Sequence, residues 1–124
     1  MRQALAGETI RIFGDGKQRR DFNHVDDVVD ALLLAGEHPD LVGRVYNLGH
    51  PEPRSLNDFV SYLSECTGCK HELVPWPKDA EAIDIGDYYG DFSRFAADSG
   101  WSPRIDLKSG LADTVRWFQG RESG

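Results

Sequence analysis

The sequence is short of positive charge, and this shortage excludes one large class of function. It contains 14 lysine and arginine residues against 21 aspartate and glutamate residues, a formal net charge of −7 at pH 7. General binders of nucleic acids or anionic membranes need a positive field that attracts phosphates. We therefore expect no nucleic-acid and no membrane partner. No apolar run approaches the ~18 residues of a membrane-spanning helix, and the opening residues lack a signal-peptide core, so we expect a cytoplasmic location.

Cysteine is scarce as well. Cys66 and Cys69 form a CxxC pair, and His71 follows. Tetrahedral zinc takes four ligands, and this run offers three at most. A thioredoxin-like pair opens a helix after a strand, whereas this pair ends a predicted helix with Gly68 as C-cap. We therefore predict neither a metal nor a redox site, but one cysteine on a helix face and one in the following loop.

Several motifs that bind nucleotides or carry catalysis are absent from the sequence. The run GDGK at residues 14–17 continues with Gln18 and Arg19, so a GxGxxG fingerprint lacks its third glycine. There is no P-loop and no calcium loop, and no tyrosine has a lysine four positions later. Spacing alone reveals no Ser/His/Asp or Cys/His set.

Hydrophobic periodicity predicts a small mixed α/β domain of few short strands and three to four helices. Strands are expected at residues 9–13, at 43–49 and in HELVPWP at 71–77. Helices are expected after Asp26 or Asp27, after Ser55 in a capping-box-like SLND, in SRFAADS up to Gly100, and after Asp106. The domain is expected to cover residues 1–120, followed by a loose tail at 121–124.

The helix around residues 28–35 is apolar on nearly every side. Such a helix is typical of a buried element with neighbours on several faces. Two or three strands also make a thin sheet. Both features indicate that another domain completes this one, and we expect that domain to lie towards the N-terminus.

Five blocks of the sequence occur in one order: GDGKQRRDFNHVDDVVDALLLA, GRVYNLG, SLNDF, GDYYGDFSRF and GWSPRIDLKSGLADTV. Together they resemble the C-terminal half of the extended short-chain dehydrogenase/reductase family, over residues 4–118. These enzymes are NAD-dependent nucleotide-sugar epimerases and dehydratases, among them UDP-glucose 4-epimerase. The resemblance implies the substrate-binding C-terminal region of a Rossmann-type enzyme. It places the NAD site and the catalytic Tyr-x-x-x-Lys in an absent N-terminal Rossmann domain, so it implies no cofactor and no turnover for this chain alone.

The resemblance also assigns roles to residues of the glycine-rich corner. Arg20 would bind a phosphate of a nucleoside diphosphate sugar, because a planar guanidinium offers two parallel donors. The alternative is a surface arginine paired with Asp15 or Asp21. Gln18 would support the turn or the ligand.

Three further residues receive roles in binding the nucleoside. Arg11 and Phe13 alternate onto one face of the first strand, which would pass beside the base. Phe13 would stack on the base or pack in the core, while backbone groups of both residues would read the base. Asn47 would contact phosphate or fix its loop, with turn capping an equal alternative.

One block departs from the family pattern. Asp84 stands where many members carry an arginine that makes a second phosphate contact, while Asp87 and Asp91 keep acidic positions. Asp91 would lie near the ribose. The departure implies a diphosphate site that is weaker or differently built.

A second hypothesis comes from a different class of function. The chain would be a non-catalytic, stand-alone interaction domain. It would form a homodimer through the apolar surface that a missing domain leaves exposed.

Overall fold

The computed structural model describes residues 1–122 and has the expected mixed α/β architecture. The helices are α1 (Arg2–Leu5), α2 (Val25–Glu37), α3 (Leu56–Thr67), α4 (Lys78–Glu81), α5 (Ser93–Ser99) and α6 (Leu107–Glu122), with a 3-10 turn at Pro39–Leu41. The strands are β1 (Ile10–Phe13), β2 (Arg19–Arg20), β3 (Arg54–Ser55) and β4 (His71–Val74). The helices outnumber the three to four predicted, because α1 and α4 are single turns of four residues. None of the helices described is long and apolar enough to cross a membrane.

The strands form two small, separate sheets. β1 and β4 pair in parallel, with Ile10 opposite His71. β2 and β3 pair antiparallel, with Arg19 opposite Ser55. The strands predicted at residues 9–13 and 71–77 are therefore confirmed.

The apolar side chains form two clusters rather than one. The first joins α1, α3 and α6, and α3 lies along α6. The second joins α2, the 3-10 turn and α5. The buried members of the first cluster are Ala4, Leu63, Cys69 and Val115, and those of the second are Ala31, Leu41, Phe95 and Trp101.

Helix α2 begins differently from the prediction. The N-cap is His24, whose Nδ1 accepts from the Asp26 N–H at 3.3 Å, so neither Asp26 nor Asp27 caps the helix. Asp27 is 1% exposed. Its carboxylate accepts from the backbone N–H groups of Arg104 and Ile105 at 3.1 and 3.0 Å. The carboxylate therefore ties α2 to the segment that leads into α6, a tertiary role that replaces the local one.

The other predicted caps are confirmed. Ser55 and Asp58 form a reciprocal capping box at the start of α3. Gly68 and Gly100 end α3 and α5 in the left-handed conformation, with φ of +73° and +75°. Asp106 accepts from the Ser109 N–H at 3.0 Å at the start of α6. Helix α6 runs to Glu122, so the tail predicted at 121–124 starts inside it, and residues 123–124 lie outside the described residues.

The strand predicted at residues 43–49 is wrong. Within residues 1–122, no backbone pairs with this segment as a strand. Tyr46 and Leu48 pack against the second cluster, while Val45 is 82% exposed. Val45 and Tyr46 are residues that favour a strand, but a strand also requires a neighbouring backbone that supplies hydrogen bonds.

The cysteines lie where the sequence predicts them. Cys66 is half-buried on α3, and Cys69 is buried in the following loop, both as free thiols. Among the residues described, no three histidine, cysteine or carboxylate side chains cluster in a way that would hold a metal ion.

Candidate functional site

The corner after β1 requires glycine at two positions. Gly14 and Gly16 have φ of +74° and +66°, a region that side chains disfavour. A Cβ on Gly14 would lie 2.2 Å from Nε1 of Trp76, and one on Gly16 would lie 2.2 Å from Oδ1 of Asn57. The corner is therefore packed against the segment after β4 and against the start of α3.

The first turn of α3 is also bonded to this corner. The N–H groups of Leu56 and Asn57 donate to the carbonyl oxygens of Gln18 and Gly16 at 3.2 and 3.0 Å. The Asn57 side chain donates to the Asp15 carbonyl at 2.9 Å. These bonds fix the corner on a helix, which is a rigid support for a binding residue.

Arg20 is half-buried, and the protein orients its guanidinium. Nη1 donates to the carbonyl of Arg19 at 2.8 Å and to the carbonyl of Gly86. Nη2 lies 3.7 Å from Oδ1 of Asp84. Within residues 1–122, neither Nε nor Nη2 makes a hydrogen bond, so one edge of the guanidinium keeps its donors available.

The alternative prediction, in which Arg20 pairs with Asp15 or Asp21, is wrong. Asp15 pairs instead with Lys17, its Oδ2 lying 3.2 Å from Nζ. The Lys17 N–H also donates to Asp15 and lowers the pKa of that carboxyl below its ordinary value. Asp21 accepts from the Gly90 N–H at 2.9 Å. The counter-ion of Arg20 is Asp84, which is distant in the sequence.

The loop that carries Asp84 lies alongside β2. Asp87 accepts from the Arg19 N–H at 2.7 Å, and the Tyr88 N–H donates to the Arg19 carbonyl at 3.0 Å. The Arg19 guanidinium donates to the Pro53 carbonyl at 3.2 Å and lies 5.8 Å from the Tyr89 ring centre. The backbone of this loop thus holds it close to Arg20.

An open groove of about 260 Å³ brings three of the predicted residues together. It is lined by Ile10, Arg11, Ile12, Phe13, Gln18, Leu56, Val60 and Trp76. Phe13 is 39% exposed, so its ring is not a core ring. It lies against Trp76, with ring centres 5.7 Å apart and planes at 40°. Arg11 points to solvent and pairs with Glu72 at 3.2 Å.

Among residues 1–122, the edge of β1 that faces away from β4 has no strand partner. The Ile10 N–H donates to the Lys70 carbonyl at 2.8 Å and the Gly14 N–H to the Val74 carbonyl at 2.9 Å. Because alternate residues of a parallel strand bond to one neighbour, the peptide groups of Arg11 and Phe13 point to the opposite edge. Both can therefore bond to a ligand.

Three predicted residues, Arg20, Asn47 and Asp91, do not line this groove. Arg20 follows Gln18 by two residues, in β2. Asn47 is exposed, and its side chain has no hydrogen-bond partner in the described part of the chain. Asp91 is exposed, and its Oδ1 accepts from the Ser93 N–H at 2.9 Å, which lowers the pKa of its carboxyl. Asp91 therefore supports the start of α5.

Sequence reasoning missed Trp76 as a member of the site. It lies just after β4, and parallel strands place their carboxyl ends at one edge of a sheet. A parallel pairing of the two predicted strands would have brought Trp76 to Gly14. A larger opening of about 480 Å³ lies elsewhere, between the start of α2 and the end of α6, and none of the predicted site residues lines it.

Comparison with known proteins relates this chain to one enzyme family. Residues 1–49 match the model of the NAD dependent epimerase/dehydratase family. The chain is 33% identical over 122 residues to the dTDP-glucose 4,6-dehydratase of Streptomyces griseus, covering 96% of this chain and 36% of the relative. This chain is related to the members of the NAD-dependent epimerase/dehydratase family. The resemblance described from the sequence is thereby confirmed.

Solved structures of epimerase/dehydratase relatives share the fold. The UDP-glucose 4-epimerase of Thermotoga maritima with UDP-glucose has a TM-score of 0.83 and 36% identity, over 97% of this chain and 38% of that one. MoeE5 in complex with UDP-glucuronic acid and NAD has a TM-score of 0.83 and 34% identity, over 96% of this chain and 40% of that one. The chain thus spans between 36% and 40% of these three proteins.

Proposed function

We propose that this chain is the substrate-binding region of an NAD-dependent nucleotide-sugar epimerase or dehydratase. It holds the nucleoside diphosphate, so that the sugar lies in reactive geometry against a nicotinamide that the rest of the enzyme supplies. The observation that carries this proposal is the guanidinium of Arg20, half-buried, oriented by two carbonyls and free along one edge. A guanidinium in this state is preorganised for two parallel bonds to a phosphate.

The groove beside β1 suits the nucleobase. Its walls are mostly apolar, and Phe13 and Trp76 offer aromatic faces for stacking. The peptide groups of Arg11 and Phe13 offer donors and acceptors for the edge of the base. Gln18 lines the groove two residues before Arg20, so one short segment would contact base and phosphate together.

Asn47 and Asp91 keep their roles in the proposal as contacts for phosphate and ribose. Both are exposed, so a ligand that extends beyond the groove can reach them without any change in the core. The titration described below tests both residues along with the groove.

A further domain is part of the proposal. On α2, the side chains of Val29, Leu32 and Leu33 are 44%, 64% and 58% exposed. The strand-like segment 43–49 has no strand partner among the residues described. An N-terminal Rossmann domain that binds NAD would cover both features and would carry the catalytic groups. We therefore expect no turnover from this chain alone, and we place the parent enzyme in the cytoplasm.

The test is a titration of the isolated chain with UDP-glucose and dTDP-glucose, followed by amide and side-chain NMR. We expect the resonances of Phe13, Arg20, Asn47 and Asp91 to shift on saturation. Arg20→Gln should weaken binding about tenfold or more, since it removes a charged, bidentate donor. Arg116→Gln is the matched control, because Arg116 is exposed on α6 and pairs with Asp113.

Three results would count against the proposal. The first is the absence of any shift at Phe13 and Arg20. The second is an equal loss of affinity in both arginine variants. The third is binding that disappears at moderate salt whatever the base, because such binding belongs to a generic anion site. Trp76→Leu separates the groove from Arg20, and it should weaken binding of both nucleotides without altering the fold seen by circular dichroism.

The interaction-domain hypothesis has one observation in its favour, the exposed apolar face of α2. A second copy of the chain would cover that face in the absence of another domain. Nucleotide binding separates the hypotheses, because an interaction domain requires no shift at Arg20.

A further inference from the structure

Asp84 is built into the same turn that orients Arg20. Its Oδ2 accepts from the Gly86 N–H at 3.3 Å, and the Gly86 carbonyl accepts from Arg20 Nη1. Its Oδ1 lies 3.7 Å from Nη2, too far for a hydrogen bond, and both side chains are 27% exposed. The carboxylate is therefore held beside the free edge of the guanidinium without occupying its donors.

Among the described residues, Arg20 is the cation that pairs with Asp84. The Arg19 guanidinium is directed to the Pro53 carbonyl and the Tyr89 ring, and Lys17 is paired with Asp15. Asp87 adds a second carboxylate, on the Arg19 N–H. An anion that binds Arg20 therefore meets one arginine and a fixed negative charge in a partly desolvated place, where charges interact more strongly than in water.

This arrangement distinguishes two kinds of phosphate. In a nucleoside diphosphate sugar, each phosphate has one ester bond, to the ribose or to the sugar, and shares the anhydride bond with the other phosphate. Each therefore carries one negative charge. A free nucleoside diphosphate ends in a phosphate whose second pKa is about 6, so it carries nearly one more charge at neutral pH. A neighbouring carboxylate repels that added charge, while the guanidinium binds both forms.

We infer that Asp84 is a specificity-determining residue, which makes the Arg20 site favour the nucleoside diphosphate sugar over the free nucleoside diphosphate. The inference rests on the proposed function and deepens it. Asp84 acts by repulsion of the competing ligand, which is a common route to specificity. The same carboxylate lowers the affinity for both ligands and lowers it more for the one with greater charge.

The test measures dissociation constants for UDP-glucose and UDP at pH 7.5 by calorimetry. The proteins are the wild type, Asp84→Asn and Asp40→Asn. Asparagine keeps an acceptor for the Gly86 N–H and removes only the charge. Asp40 is a suitable control, since it is 83% exposed in the 3-10 turn and far along the chain from this loop. We expect Asp84→Asn to tighten UDP more than UDP-glucose, so that the preference for the sugar falls about fivefold.

Each outcome decides the inference. A preference that is unchanged in Asp84→Asn, or that falls equally in Asp40→Asn, overturns it while the proposed function stands. If neither ligand binds the wild type or Asp84→Asn, the proposed function fails and the inference fails with it. A selective gain for UDP in Asp84→Asn alone supports both.

Discussion

At the scale of single residues, two charged side chains meet partners that lie far away along the chain. Arg20 donates to a carbonyl 66 residues later, and Asp27 accepts from an N–H 77 residues later. Local rules suggested Asp15 or Asp21 for the first and a cap for the second. They did so because a local pattern contains only the partners within a few residues, whereas buried charged groups find donors and acceptors wherever the fold brings them.

Asp27→Ala should lower the free energy of unfolding by about 2 to 3 kcal/mol. The change leaves the partly buried N–H groups of Arg104 and Ile105 without this acceptor, and an unsatisfied buried donor costs about 1 to 3 kcal/mol. Urea unfolding followed by circular dichroism measures the loss. Asp26→Ala is the control, since the neighbouring carboxylate is 73% exposed, and a loss of the same size there would contradict the role of Asp27.

At the scale of elements, most helix ends were predictable, with the start of α2 as the exception, and sheet pairing was not. The capping box at Ser55 and the left-handed glycines at 68 and 100 depend on bonds within about four residues. Strand formation at 43–49 depends on a backbone that no described segment supplies. The sequence did not decide between two roles for Phe13 for the same reason. Alternation along a strand shows which side chains share a face but not what covers that face.

Ser55→Ala should destabilise the chain by about 1 kcal/mol at pH 7, the usual effect of losing an N-cap. The Ser55 hydroxyl bond to Asp58 is the main cause that lowers the pKa of that carboxyl in the folded state. A lowered folded pKa adds stability above the ordinary aspartate pKa of about 4, and this stability is lost as the pH falls through the folded pKa. The variant should therefore lose less stability between pH 7 and pH 3 than the wild type does.

Urea titrations at the two pH values check this expectation. Ser61→Ala is the matched control, because Ser61 is exposed in the middle of α3. Equal pH dependence in wild type and Ser55→Ala would show that the capping box does not set the protonation of Asp58.

At the scale of the whole molecule, the described residues leave an apolar face uncovered on α2. Exposed apolar patches of this kind mark interaction surfaces. Because two small clusters replace one large core, the helix that the sequence marks as buried is open to solvent on one side. This agrees with a chain that covers 36% to 40% of its relatives.

Replacing Leu32 and Leu33 by lysine should abolish concentration-dependent self-association of the isolated chain, as measured by sedimentation velocity. Both side chains are more than half exposed, so the change should leave the fold intact. Val42→Lys, at a position 78% exposed beyond the 3-10 turn, should behave as the wild type does. A wild type that stays monomeric at every concentration would rule out the α2 face as a site of self-association.

The sequence by itself determined the features that arise within a few residues or along one face: the strand at Ile10–Phe13, the capping box, the glycine corner and the family resemblance. Only the tertiary structure decided that Asp84 is the counter-ion of Arg20, that Trp76 faces Phe13 and that residues 43–49 form no strand. The physical reason is how far apart along the chain the interacting groups lie. Backbone conformation and capping are settled by adjacent atoms, whereas ion pairs, ring contacts and strand pairing depend on which distant segments the whole fold places together.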